Sequence, residues 1–177
     1  MNPTLRKPEP LDYEAIASWV PDAQSCFWWA GPRMKFPFTA AVLPSLLTFV
    51  GAQGQSYCLA EGTVSPLGFG QHWVVKPGAV HLARIIIAPS ARGRGIGRLF
   101  FRLLAAQAIQ ATGAEEVTLR VYRQNAVALS LYSSLGFSTD QAESTEEILF
   151  MRAEAKPLGG ENGGQTIGSL IRSATRL

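Results

Sequence analysis

The sequence predicts one α/β (α+β) domain, a mixed and mainly antiparallel sheet flanked by helices. Three observations carry that reading. The apolar run Val80-His81-Leu82-Ala83-Arg84-Ile85-Ile86-Ile87 reads as a buried strand, and beyond a glycine-rich turn comes the helical pattern Leu99-Phe100-Phe101-Arg102-Leu103-Leu104. The segment Glu116-Val117-Thr118-Leu119-Arg120-Val121-Tyr122 is β-rich and reads as a half-buried strand with a short helix after it. Upstream, Ser56-Tyr57-Cys58-Leu59-Ala60 and residues 66–75 read as neighbouring strands. A chain of 177 residues is long enough for one domain with a sizeable core.

From the N-terminus, Leu5-Arg6-Lys7-Pro8 predicts a short first strand. Residues 10–19 predict a helix with Asp12 and Glu14 in its first turn, where the helix dipole favours acidic side chains. Residues 26–38 crowd Phe27, Trp28, Trp29, Phe36 and Phe38 among Gly31, Pro32 and Pro37, and residues 39–49 predict a second helix. Strands 56–60, 66–75 and 80–87 follow, then helix 95–111, strand 116–122, helix 125–134 and a last strand near 146–152. The domain is expected to occupy residues 1–155. Gly159-Gly160 and Gly163-Gly164 predict a flexible tail over residues 156–177. Within it Ile167, Leu170, Ile171 and Ala174 fall at the spacing of a short C-terminal helix, a docking or partner element if it orders.

Composition bounds the function. Charged residues make up 16% of the chain, against the roughly 25% usual for soluble proteins. The longest apolar candidate for a membrane span, near residues 38–50, is broken by Pro44, and the first residues lack the apolar core of a secretion signal. A cytoplasmic protein is expected, with no membrane and no nucleic acid among its partners. Cys26 and Cys58 lack metal-ligand spacing, and His72 and His81 are too few to argue for a metal. The net charge is +3, but no Asp or Glu occurs between Glu61 and Glu115, while Lys76, Arg84, Arg92, Arg94, Arg98 and Arg102 all lie in that window. Such concentration suits a small polyanion better than a nucleic acid, which calls for a longer basic stripe. A solvated basic helix face is the plainer alternative.

The stretch Arg92-Gly93-Arg94-Gly95-Ile96-Gly97-Arg98 joins the buried strand to the helix. Backbone amides are left without partners at a helix start, and the dipole favours negative charge there. Glycines let the backbone approach a phosphate, and arginines suit its oxygens. A Walker A loop needs a Lys-Ser or Lys-Thr pair, and none occurs. A dinucleotide fingerprint needs its glycines directly after the strand, but Pro89-Ser90-Ala91 intervenes.

The pattern that remains is Arg/Gln-x-x-Gly-x-Gly/Ala, met by Arg92 to Gly97. With the preceding strand and its Ala-Pro exit, it resembles the acetyl-CoA pyrophosphate loop of the GNAT superfamily of N-acetyltransferases. A second segment carries the same resemblance: strand 116–122, then Asn125, Ala126, Leu131-Tyr132 and Leu135-Gly136-Phe137. The resemblance covers roughly residues 5–152 and is specific over about 80–137.

The resemblance implies the GNAT fold, with strands 80–87 and 116–122 splayed apart at the acetyl-CoA site. The opened backbone of Ile85, Ile86 and Ile87 would pair with the pantetheine amides, although plain core is also a reading of their side chains. The pyrophosphate would rest on Arg92, Gly93, Arg94, Gly95, Ile96, Gly97 and Arg98. Asn125 is similar to the family's cofactor-contacting asparagine and fits a helix N-cap equally well. Tyr132 is expected to be the general acid; a core-edge tyrosine is the alternative. No carboxylate lies on the motif strand, so His81 is the candidate base, titrating near its ordinary value; a structural strand histidine, with water-mediated deprotonation or a distant Glu as base, is the alternative. Trp28, Trp29, Phe36 and Phe38, with Trp73 and Tyr57, are expected to wall the acceptor slot and Arg84 to shape it, though core or dimer-interface roles suit such aromatics too, and Arg84 could be a structural ion-pair partner.

The expected function is transfer of an acetyl group from acetyl-CoA, without a metal, to a primary amine of a small molecule, peptide or protein, by a monomer or homodimer. The main alternative is a sensor that binds an acyl-CoA without turnover. A second is a non-acetyl acyltransferase or a nucleotide-binding protein.

Overall fold

The computed structural model describes residues 3–49, 53–62 and 65–159. Among the described residues seven strands form one sheet in the order β1-β2-β3-β4-β5-β7-β6. They are β1 (Thr4–Arg6), β2 (Gly54–Ala60), β3 (Gly68–Lys76), β4 (Ala79–Ile87), β5 (Glu116–Tyr122), β6 (Ser138–Asp140) and β7 (Ile148–Glu154). Every neighbouring pair is antiparallel except β4 and β5, which run parallel and are joined by the long helix α4 (Ile96–Thr112). The mixed, mainly antiparallel sheet is therefore as expected.

Alternation along the strands builds two faces. Val80, Leu82, Val117, Leu119, Val121 and Met151 point to one face and pack under α4 through Phe100, Phe101, Leu103 and Leu104. The approach is close: a Cβ on Gly70 would lie 2.8 Å from Leu104. On the other face α1 (Asp12–Ser18), α2 (Ala23–Ala30) and α3 (Leu43–Leu46) bring Ile16, Trp19, Cys26 and Leu43 together with Cys58, Phe69 and Ile86. The β5 and β7 side of that face holds polar and aromatic side chains instead, so the sequence leaves part of one sheet face uncovered.

Local causes explain the departures from expectation. Residues 39–49 do not form one helix. A 3-10 turn, Ala40–Val42, runs into the four-residue α3, because Pro44 lacks the N–H that would continue the ladder. Residues 26–38 contain most of α2, which the sequence reading missed. Asp22 caps it by accepting from the Ser25 amide at 2.7 Å, and Gly31, at φ 77°, ends it. Asp12, 4% exposed, accepts from both ends of the Arg6 guanidinium at 2.5 and 2.8 Å and so ties β1 to α1. Residues 156–159, expected to begin a loose tail, belong instead to α6 (Ala155–Gly159), with Leu158 buried in the α4 core. The expected helix around residues 167–174 lies outside the described residues. No helix among the described residues is long and apolar enough to cross a membrane.

Candidate active site

The sheet opens where β4 and β5 part. Their parallel pairing runs only from Ala79 opposite Glu116 to Leu82 opposite Leu119. Beyond it β4 stays paired with β3 as far as Ile87, and β5 stays paired with β7 as far as Tyr122. A wedge results, open at the carboxyl ends of two parallel strands, a general place for ligands in α/β sheets.

A bulge in β4 sets up the wedge. Phe69 lies opposite Ile86 and Gln71 opposite Ala83, so Arg84 and Ile85 together face Gly70. Arg84 takes φ 52°, a left-handed conformation costing a non-glycine residue roughly 1–2 kcal/mol. Two contacts hold it there. The Trp29 indole donates to the Arg84 carbonyl at 2.7 Å, and Arg84 Nη1 donates to Gln71 Oε1 at 2.7 Å. The extra residue also re-phases the strand, so Ile85 packs on the α4 side, Ile86 on the other, and Ile87 touches both clusters. The three isoleucines thus fill both cores while their β5-side backbone lines the wedge.

The glycine-rich loop follows at the end of β4. Gly93 and Gly95 sit at φ 71° and 75°, and a Cβ on either would meet nothing within 4 Å. Gly97 is already helical; its Cβ would meet only Ile87 Cγ1, at 3.7 Å. Among the described residues nothing accepts from the amides of Ile96, Gly97 and Arg98, so α4 presents an unsatisfied N-terminus. Arg92 Nε donates to the Ile87 carbonyl at 3.1 Å, Arg98 Nη2 donates to Ser134 Oγ at 2.7 Å, and Arg94 is exposed. The loop is fit to hold an anionic, phosphate-bearing group.

α5 (Ala126–Ser134) borders the wedge on the α4 side. Asn125 is its N-cap, its Oδ1 accepting from the Ala128 amide at 3.1 Å. The Tyr132 ring packs against Phe101 and Phe137, with centroids 5.1 and 6.2 Å away, and burial pushes its hydroxyl up to about 12.

On the opposite face the uncovered strands form a cleft of about 700 Å³. Trp28, Trp29 and Arg33 from α2 and its exit line it, with Trp73, His81 and Arg84. So do Thr118, Arg120 and Tyr122 of β5 and Phe150 and Arg152 of β7. His81, Trp28, Trp29 and Arg84 thus line one cleft. Phe36 does not: it lies outside the cleft lining, 37% exposed, edge-on to Phe38. The β5 and β7 residues were missed. The signal on β5 was the strict alternation of Thr118, Arg120 and Tyr122 with Val117, Leu119 and Val121.

His81 is the most enclosed titratable group of the cleft, 6% exposed, with Trp73 and Phe150 rings 5.0 and 6.3 Å away. Its Nδ1 lies 2.8 Å from Thr118 Oγ1, and that hydroxyl is 3.4 Å from the Val80 carbonyl to which it donates. That geometry fits an Nδ1–H donating to Thr118, the tautomer that leaves Nε2 an acceptor. Burial first, and the Arg120 charge second, push His81 down to about 4, which corrects the expectation of an ordinary titration. His81 and Tyr132 flank the wedge from opposite faces of the sheet and do not touch.

This depression has a consequence for stability. The unfolded chain binds a proton at His81 near pH 6.5, the folded chain only near 4, so folding loses up to about 3 kcal/mol as pH falls through that window. In His81→Gln the drop in unfolding free energy between pH 7 and pH 4 should be smaller by about 2–3 kcal/mol. Urea denaturation at both pH values measures it, and equal drops in the two proteins would mean His81 is not buried neutral.

Residues 21–137 match the model of the acetyltransferase (GNAT) family. The chain belongs to this family. It is 34% identical over 97 residues to the uncharacterized N-acetyltransferase YobR of Bacillus subtilis strain 168, covering 54% of this chain and 35% of that protein. It is 30% identical over 145 residues to the mycothiol acetyltransferase of Renibacterium salmoninarum, covering 73% of this chain and 42% of that protein. The chain thus spans less than half the length of both curated relatives. The spermidine N-acetyltransferase of Vibrio cholerae, solved with CoA and spermine, superposes with a TM-score of 0.74, covering 90% of this chain and 99% of that one at 17% identity. That likeness is one of fold. In this GNAT chain the splayed strands, the loop and α5 form one continuous feature.

Proposed function

We propose that the protein transfers an acetyl group from acetyl-CoA to a primary amine, of a small molecule, peptide or protein, by direct attack in a ternary complex. The observation that carries this reading is the wedge itself. It has a glycine-rich loop with free amides and a half-buried phenol on one side and an aromatic, polar cleft on the other, so a thioester lying in it would be reachable by an amine.

Acetyl-CoA would supply the activated acetyl group as a thioester. The free amides of α4 and Arg94 would hold its phosphates, and the backbone of residues 83–87, which β5 does not pair with, would face its pantetheine arm. His81 Nε2 would accept a hydrogen bond from the incoming amine and orient its lone pair. A histidine pushed to about 4 is too weak to keep a proton at neutral pH, so it would pass it on to solvent. The cationic cleft that disfavours protonated His81 would likewise favour the amine in its free, nucleophilic form. Tyr132, still protonated at neutral pH, would give a proton to the departing sulfur. Cys26 and Cys58 are buried, and burial raises both thiols, which disfavours either as an acyl carrier.

If the loop binds the phosphates, Arg94→Ala should weaken acetyl-CoA binding by about 1.5–3 kcal/mol, a charge-assisted bond lost. Arg94 is a cleaner probe than Arg92, whose guanidinium also holds Ile87. Calorimetry with acetyl-CoA and with pantetheine alone tests it. Equal losses for both ligands would mean that Arg94 acts through the fold.

A further inference from the structure

We propose that the acceptor is an amine that also carries an acidic group, a carboxylate or a phosphate, bound against the guanidiniums of the cleft. This rests on the acetyl-transfer reading of the same site and narrows it. The argument is one of unpaired charge. Glu116 is taken up by Lys76 at 3.4 Å and by Arg152 at 3.3 Å, and Arg152 also binds Asp140. Arg33, Arg84 and Arg120 have no carboxylate partner among the described residues, and the remaining acid of the lining is Glu143. Three cations therefore face one free carboxylate.

Arg84 is the telling group. It is half-buried, held by a strained backbone and by neutral partners, Gln71 Oε1 at 2.7 Å and the Leu47 carbonyl at 3.5 Å. Both bonds use Nη1, so Nη2 and Nε keep their donors. Gln71 is itself fixed, its Nε2 donating to the Leu47 carbonyl and to Ser56 Oγ, each at 2.8 Å. A guanidinium preorganised in this way, without an acid, is built to receive a planar or tetrahedral anion. Arg33 adds to its field, and burial with that neighbour lowers Arg84's own proton affinity. Across the cleft Arg120 lies over the Phe150 ring at 5.1 Å. Trp28 is 43% exposed at the mouth, a surface on which an acceptor's body could stack. A polyamine would meet like charge here. An anionic amine gains a counter-ion and brings its nitrogen in beside His81.

Matched acceptors test this: α-amino acids, their amides, aminoalkyl phosphates and spermidine, each assayed for CoA release from acetyl-CoA and for binding by tryptophan fluorescence. The expected result is kcat/KM at least tenfold higher for the acidic members than for the amides, with spermidine last. The advantage should shrink as salt rises and fall by about tenfold in Arg33→Gln and Arg120→Gln. Carboxylate against phosphate members tells which anion is read. A preference for amides or spermidine overturns the proposal while leaving acetyl transfer standing. Saturable, anion-dependent binding without any transfer supports the anion site and overturns the transferase reading. Absence of saturable binding by every acidic member overturns the proposal, whatever else reacts.

Discussion

Gly97→Glu should abolish acetyl-CoA binding and leave the fold intact. The residue is in the first turn of α4, where a Cβ would meet only Ile87 Cγ1 at an ordinary 3.7 Å. Its φ is not left-handed, unlike that of Gly95 at 75°, where any side chain would strain the backbone by roughly 1–2 kcal/mol. A carboxylate near a helix N-terminus interacts favourably with the dipole by about 0.3–1 kcal/mol, so stability should hold or rise. The same carboxylate occupies the space a pyrophosphate needs and repels it. The loss expected is at least ~100-fold in affinity, the combined effect of a filled site and like charge. Calorimetry reads the affinity, and circular dichroism with a melting curve checks the fold. Affinity within twofold of wild type would remove the pyrophosphate-loop assignment.

Tyr132→Phe should cut kcat by about 10²–10⁴-fold, the usual contribution of a positioned general acid, with acetyl-CoA affinity little changed. The substitution keeps the ring that packs on Phe101 and Phe137. The hydroxyl has no hydrogen-bond partner among the described residues, so its removal orphans nothing and the melting temperature should not fall. Wild-type turnover would take Tyr132 out of the mechanism, and a change in KM alone would make it a binding residue.

Much of this architecture was legible from sequence because its causes are local. The run of apolar residues into Pro89, the three loop glycines and the amphipathic stretch after them fix β4, the loop and α4 by their own chain geometry. Asn125 at a helix start and Gly136 after the helix end did the same for α5. What failed to show was tertiary. The bulge rests on an arginine, not a glycine, in a left-handed conformation, held by Trp29 from a distant helix. The proton affinity of His81 is set by Trp73, Phe150 and Arg120, each from another strand. α2 was hidden by its aromatic residues, and its Asp22 cap and Gly31 stop were the available signals. Phe36 lies outside the cleft lining and against Phe38, a placement set by the tertiary path of residues 31–38. The cleft face of β5 needed only a period-two reading of Thr118, Arg120 and Tyr122.

The central claim is that one wedge brings acetyl-CoA and an amine together for direct transfer. Mass spectrometry after incubation with acetyl-CoA and a panel of primary amines tests it most directly. The expected result is an acetylated amine formed one-for-one with released CoA, while the protein itself stays unmodified throughout turnover. Tight acetyl-CoA binding with no acetylated amine from the whole panel, or an acetylated protein that passes its group on to the amine, would contradict it.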